Sequence, residues 1–248
     1  MATEIDTRVS IDLHPETVMK LDGVDADTAP FIAPAVEAFE GAYSYLTSIH
    51  EVRAAAFADP TLTPEAALLR TDDHAAGKLA AVTQRFDNTI ARFTTTIKSL
   101  ESDLSASVKE LAGKAVSGEV RAHMKASKDR VKLMEQALAE KDDEVLSAVL
   151  GAPPMLSGLS KELHAVFLRA YNEQRKPEAS KRLKALTAAR THLENRGGLI
   201  LREMERAVGT VPIIKQDKAC VSRIVGKVTP REVRAARNAS AAVYKKHA

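Results

Sequence analysis

The sequence predicts an all-α protein, built of long amphipathic helical hairpins that form an elongated bundle, with a short extended N-terminal arm. Three observations predict it. Apolar residues recur at helical spacing along an uninterrupted stretch between Leu79 and Leu111. The apolar content is mostly Ala, Leu and Val, with aromatic residues at only 4% and no Trp, so close helix packing replaces a core of large rings. Helix-start signals, Thr63-Pro64-Glu65 and Thr229-Pro230-Arg231-Glu232, place Thr at the N-cap and Pro at the first helical position.

From the N-terminus, Ile5, Val9, Ile11 and Leu13 fall at mostly even spacing, a weak strand signal. One strand cannot stand alone, so residues 1–29 read as an arm that packs on the protein or a neighbour. A short helix follows at Pro15–Leu21, then an acidic loop over 22–30. That loop has three Asp, at 22, 25 and 27, but lacks the fixed Gly and distal Glu of a calcium-binding EF-hand, and it reads as solvated.

Residues 30–150 form an acidic helical region. A helix from about Ala35 to Ala58 is stopped by Pro60. The next carries Leu79, Val82, Phe86, Ile90, Phe93, Ile97, Leu100, Leu104, Val108 and Leu111, at steps of three and four. That keeps one apolar stripe on a helix for about nine turns and approaches a coiled-coil seam. Such a stripe needs a partner, so Phe86, Phe93 and Ile97 are expected in a core. Gly113 and Gly118 bracket a turn, and Val120, Met124, Val131, Met134, Leu138, Val145 and Val149 predict a returning helix.

Residues 151–158, Gly-Ala-Pro-Pro-Met-Leu-Ser-Gly, read as a linker, because adjacent prolines cannot continue a helix. A basic helical region, 159–248, follows. Leu159, Leu163, Val166, Ala170 and Tyr171 predict one stripe, and Pro177 restarts the helix. Leu183, Leu186, Leu193, Ile200, Met204 and Val208 predict the next, weakened or bent at Gly197-Gly198, since each Gly costs about 1 kcal/mol relative to Ala. A connector over 209–214, a short helix near Gln216–Val225 and a last helix from Pro230 complete the chain.

Charge changes sign along the chain. Residues 1–158 carry 16 Lys and Arg against 25 Asp and Glu, a balance of −9; residues 159–248 carry 20 against 8, a balance of +12. A basic half commonly faces an anionic partner, whether nucleic acid, a membrane surface, an acidic protein surface or the acidic half of a neighbouring copy, unless it is merely solvated. The candidate contact residues are Lys181, Arg182, Lys184 and Arg190 on one helix, and Arg231, Arg234, Arg237, Lys245 and Lys246 on the last. Residues 216–245 also have a weak helix–turn–helix outline.

Chemistry is not legible. Gly-rich phosphate loops and the Gly-x-Ser-x-Gly nucleophile elbow are absent from the sequence. The seven His show neither His-Glu-x-x-His nor Glu-x-x-His, so no metal or cofactor is expected. Cys220 is the only cysteine; Lys218 and Arg223 nearby would lower its pKa, but a lone small thiol reads as packing. Asp72-Asp73 and Asp142-Asp143-Glu144 read as solvated helix surface. With no secretory signal and no apolar run long enough to span a bilayer, the expected location is the cytoplasm at synthesis.

The expectation is therefore a non-enzymatic structural or assembly protein that forms a homo-oligomer through its hairpins. The alternative is a helical protein that binds nucleic-acid phosphates non-specifically through its basic half. In general appearance the chain resembles bacteriophage virion components such as connector, ring or internal capsid proteins. That likeness is carried by the stripes, the arm and the charge polarity, and by no motif.

Overall fold

The computed structural model describes residues 5–112, 117–216 and 222–247. The fold is all-α apart from one two-stranded ribbon. In chain order come a 3-10 turn Ile11–Leu13, α1 Glu16–Met19, α2 Ala29–Ala58, α3 Pro64–Ala112, α4 Ser117–Ala126, α5 Arg130–Glu140, α6 Asp143–Leu150 and α7 Pro154–Ser157. Then follow α8 Lys161–Arg175, α9 Pro177–Val208, β1 Val211–Gln216, β2 Ser222–Val228 and α10 Pro230–His247. Two compact units share this chain: Met1–Lys20, Ala33–Ile90 and Thr191–Ala248 form the first, and Leu21–Ile32 with Ala91–Arg190 the second.

In the first unit, α2 presents Phe39, Tyr43, Leu46 and Ile49 to the interior, at the three- and four-residue steps that define one helix face. The Phe39 ring meets Phe86 of α3 at 5.1 Å and His192 of α9 at 5.0 Å. The Tyr45 hydroxyl donates to the Ala75 carbonyl at 2.8 Å, satisfying the one polar group that a buried tyrosine carries. Thr63 caps α3 as expected: its Oγ1 accepts from the Ala66 N–H at 3.2 Å.

The N-terminal segment packs on its own chain, but by turns and not as a strand. Asp6 accepts from both the backbone N–H and the guanidinium of Arg8, and the Val9 N–H donates to the Asp6 carbonyl at 3.1 Å. Such local side-chain bonds divert the backbone from an extended path. The Asp6 N–H donates to the Tyr43 hydroxyl at 2.7 Å, and Leu13 and Val18 are buried.

The ribbon corrects the reading of 209–225. α9 ends at Gly209, whose φ of 67° is the left-handed conformation that glycine adopts at low cost. Arg53 secures this end: its guanidinium donates to the Val208 carbonyl and, at 3.3 Å, to that of Thr210. The connector is a strand, and the described part of the expected short helix is strand too. β1 and β2 pair antiparallel, Ile214 opposite Ile224 and Lys215 opposite Arg223, with a bulge after Ile213. The physical reason is composition: Val211, Ile213 and Ile214, then Ile224, Val225 and Val228, are β-branched residues that favour a pleated strand. The helix–turn–helix outline therefore does not hold, since a strand stands where its first helix would be.

In the second unit, the stripe on α3 is buried at Phe93, Ile97, Leu104 and Val108. The expected returning helix is three helices. Ser127 and Asp129 break it first: the Asp129 N–H donates to the Ser127 hydroxyl at 3.1 Å, a local bond that competes with the helix. Lys141 breaks it again, at φ 56°. Its N–H donates to the Leu138 carbonyl and that of Asp142 to the Ala137 carbonyl, the paired bonds of a Schellman stop. Asp142 then caps α6 by accepting from the Val145 N–H at 3.0 Å. Met124, Met134, Leu146, Val149, Phe167 and Tyr171 close one core with Val108.

The stripe expected on α8 is rotated. Phe167 and Tyr171 are buried, whereas Leu163 and Val166 are exposed. The Pro/Gly segment 151–158 lies inside the second unit and contains α7, with Ser157 buried. The compact units part elsewhere, after Ile90 in α3 and after Arg190 in α9. α9 continues as helix through Gly197-Gly198.

Candidate functional site

The nine basic candidates do not form one surface within a unit. Lys181, Arg182, Lys184 and Arg190 belong to the second unit, and the α10 residues to the first. On α9, Lys181 pairs with Asp25 at 3.8 Å and Lys184 with Asp22 at 3.0 Å. Arg182 stacks over the Phe31 ring at 4.0 Å, and Arg190 is half-buried. The acidic loop and the basic helix thus answer one another inside the unit. Asp25 also accepts from the backbone N–H of Thr28 at 3.0 Å and of Asp27 at 3.0 Å, which with the Thr28 hydroxyl holds its carboxyl below the usual range.

In the first unit, Arg196 pairs with Asp12 at 3.1 Å. Arg234 reaches Asp72 and Asp73 together, at 2.5 Å each, and these carboxylates raise its pKa. Asp72-Asp73 is thus a receptor for α10 and not merely solvated. Likewise Asp143 accepts from the Tyr171 hydroxyl at 3.0 Å, and burial first, then this bond, pushes that hydroxyl up to about 12. Part of the sequence's charge asymmetry is therefore matched within the units, although exposed pairs of this kind contribute only about 0–1 kcal/mol each.

Arg231, Arg237, Lys245 and Lys246 are exposed on α10. The helix begins with a reciprocal cap: Thr229 donates its N–H and hydroxyl to Glu232, whose own N–H returns to the Thr229 hydroxyl. Glu232 is the only acid of α10. Ile214, Ile224 and Val225 of the ribbon are 54–69% exposed.

A second surface was not foreseen. In the second unit a groove of 530 Å³ is lined by Arg130, Val131, Lys132, Glu135, Leu159 and Leu163, among others. Val131 and Leu163 are exposed, as are Val166, one turn along α8, and Met155 and Leu156 of α7. The signal was the surplus of apolar residues on α8, which has more than one face can bury.

Three histidines of the first unit have lowered pKa values. Burial is the main cause at His50, His74 and His192, assisted by Arg8, Lys78 and Arg196 respectively. His192 Nε2 lies 3.1 Å from the Thr17 hydroxyl, and His74 Nε2 3.2 Å from that of Ser48. The folded state then binds fewer protons than the unfolded chain below the ordinary histidine pKa near 6.5. This contribution is intact above about pH 6.5 and is lost as pH falls toward the lowered values. The melting temperature of the first unit is expected to drop between pH 7 and pH 5, and His192→Gln should flatten the drop. A melting temperature constant over that interval would contradict it.

Among the described residues, no three His, Cys, Asp or Glu side chains cluster as a metal site would require, and no helix is long and apolar enough to cross a membrane. Cys220 lies outside the described residues, as does Gly113. No protein-family model, curated protein or solved structure matches the chain.

Proposed function

We propose that this is a non-enzymatic assembly protein that self-associates, and that the groove between α5 and α8 is where copies meet. The class is the one to which bacteriophage connector, ring and internal capsid proteins belong. The observation that carries the reading is the exposed apolar side chains of the second unit: Val131 and Leu163 line the groove, Val166 follows Leu163 by one turn of α8 at 61% exposed, and Met155 of α7 is 75% exposed. Apolar side chains gathered at a groove mark an interaction site more often than a solvated face.

A second copy is favoured as occupant by the charges of the rim. Lys132 and Glu135 lie on α5 three residues apart, with Lys128, Asp129 and Arg130 at its start. A rim carrying both signs, three cations and two acids, suits a second copy, because a two-fold operation can set cations of one copy against acids of the other. A partner of one charge sign would meet like charge at half of it.

Hydrogen exchange tests this on the whole chain. In concentrated solution the amides of α5 and α8 should exchange more slowly than in dilute solution, while those of α2 keep their rates. Rates in α5 and α8 independent of concentration would overturn the assignment of the groove.

A further inference from the structure

We propose that the C-terminal ribbon and α10 together bind duplex DNA, through its phosphates and without reading sequence. The segment 211–248 carries nine Lys and Arg against two acids, Asp217 and Glu232, a balance of +7. Of the acids, Glu232 is engaged in the cap of α10. Arg234 is engaged with Asp72 and Asp73, which fixes α10 on the first unit and leaves Arg231, Arg237, Lys245 and Lys246 exposed along it. The ribbon adds Lys227, exposed, and a register that sets Lys215 opposite Arg223. The two elements thus carry exposed cations in excess of acids, the carboxylates of Asp72 and Asp73 being held by Arg234, as contact with a polyanion requires.

The form of the ribbon selects the polyanion. Two strands about 4.8 Å apart, with their side chains, match the roughly 12 Å major groove of B-form DNA. The major groove of duplex RNA is deep and narrow and does not admit such a ribbon. Single strands are held by stacking on aromatic rings, and Tyr244 is the only aromatic residue after Val211. The exposed Ile214 and Ile224 face one another across the strands and can lie against the groove floor, where thymine methyl groups accept apolar contact. The cations make the affinity, and because contacts to phosphates carry no sequence information all sequences are held alike.

The test is fluorescence anisotropy of the full chain with a short labelled DNA duplex, across a series of salt concentrations. The expected result is binding at low salt that weakens steeply as salt rises and is equal for unrelated sequences. Replacing Arg231, Arg237, Lys245 and Lys246 by Gln should reduce the slope of log affinity against log salt by about 3.6, at about 0.9 for each lost phosphate contact. Replacing the two arginines by Lys, which keeps the charge, should restore most of it, and the helix content of both variants should match the parent. Three outcomes would overturn the proposal: no binding at low salt, a slope unchanged in the Gln variant, or equal affinity for duplex RNA. A Gln variant that loses native mass and never bound DNA would assign α10 to contact with a second copy instead. Loss of DNA binding with native mass unchanged separates this site from the groove between α5 and α8.

Discussion

Phe86→Ala is expected to destabilise the first unit by about 3–5 kcal/mol, the usual cost of truncating a buried ring. Phe86 is 2% exposed. Its ring packs on Phe39, and a Cβ placed on Gly197 would lie only 3.8 Å from it, so α2, α3 and α9 all contribute to its surroundings. None of these backbones can collapse into the space without shifting a helix. Calorimetry should show the melting temperature lowered by about 10 °C, taking about 2–4 °C per kcal/mol for a chain of this length. Gln84→Ala, at an exposed position of the same helix, should leave it nearly unchanged. A Phe86→Ala protein as stable as the parent would contradict the placement of the α3 stripe.

Gly151→Ala is expected to be costly for a different reason, by overpacking. Gly151 has φ −77°, which any residue adopts, so backbone freedom is not what requires glycine there. A Cβ at that position would lie 2.5 Å from the Ala112 Cβ and 2.7 Å from the Ser147 carbonyl oxygen. The end of α6 is pressed against the end of α3, and a methyl group must displace one of them, at about 1–3 kcal/mol. Denaturant unfolding should show the loss, and Ala112→Gly should relieve part of it in the double variant, since the two positions share one contact. A free linker would accept the alanine without loss, and that result would support the reading of 151–158 as a linker.

Gly151 shows where sequence reasoning reached its limit. Two prolines and two glycines within eight residues signal a break in helix, and a break is there. Whether a break is exposed or packed depends on residues far along the chain, here Ala112 and Val108, which no local pattern names. The α3 stripe was legible because burial along one long helix repeats with the helix's own period. The caps at Thr63 and Thr229 were legible because they are local. The break at Lys141 was not, because a lysine in the left-handed conformation has no compositional mark. The ribbon could have been found: two β-branched runs lie on either side of a short polar segment, a hairpin signal outweighed by the helical character of the rest.

The candidate surfaces divide in the same manner. Their basic residues were legible as composition, but their partners were not. Asp22, Asp25, Asp72 and Asp73 lie more than a hundred residues from the cations they meet, so the sequence shows two charged halves where the units show ion pairs. The ribbon and α10 carry much of the basic excess, with nine Lys and Arg against two acids over 211–248. The apolar groove escaped because a helical stripe states that a face is apolar and not that it is covered; Leu163 and Val166 belong to such a stripe and are exposed.

Self-association through the second unit is tested most directly by the mass of the native particle. Sedimentation equilibrium of the full chain in concentrated solution should give a multiple of 26.8 kDa, falling toward 26.8 kDa on dilution. Val131→Glu with Val166→Glu, both at exposed positions where a charge leaves the fold intact, should return it to 26.8 kDa with helix content unchanged. A parent chain that sediments at 26.8 kDa even in concentrated solution, or a charged variant that keeps the parent's mass, would contradict the account.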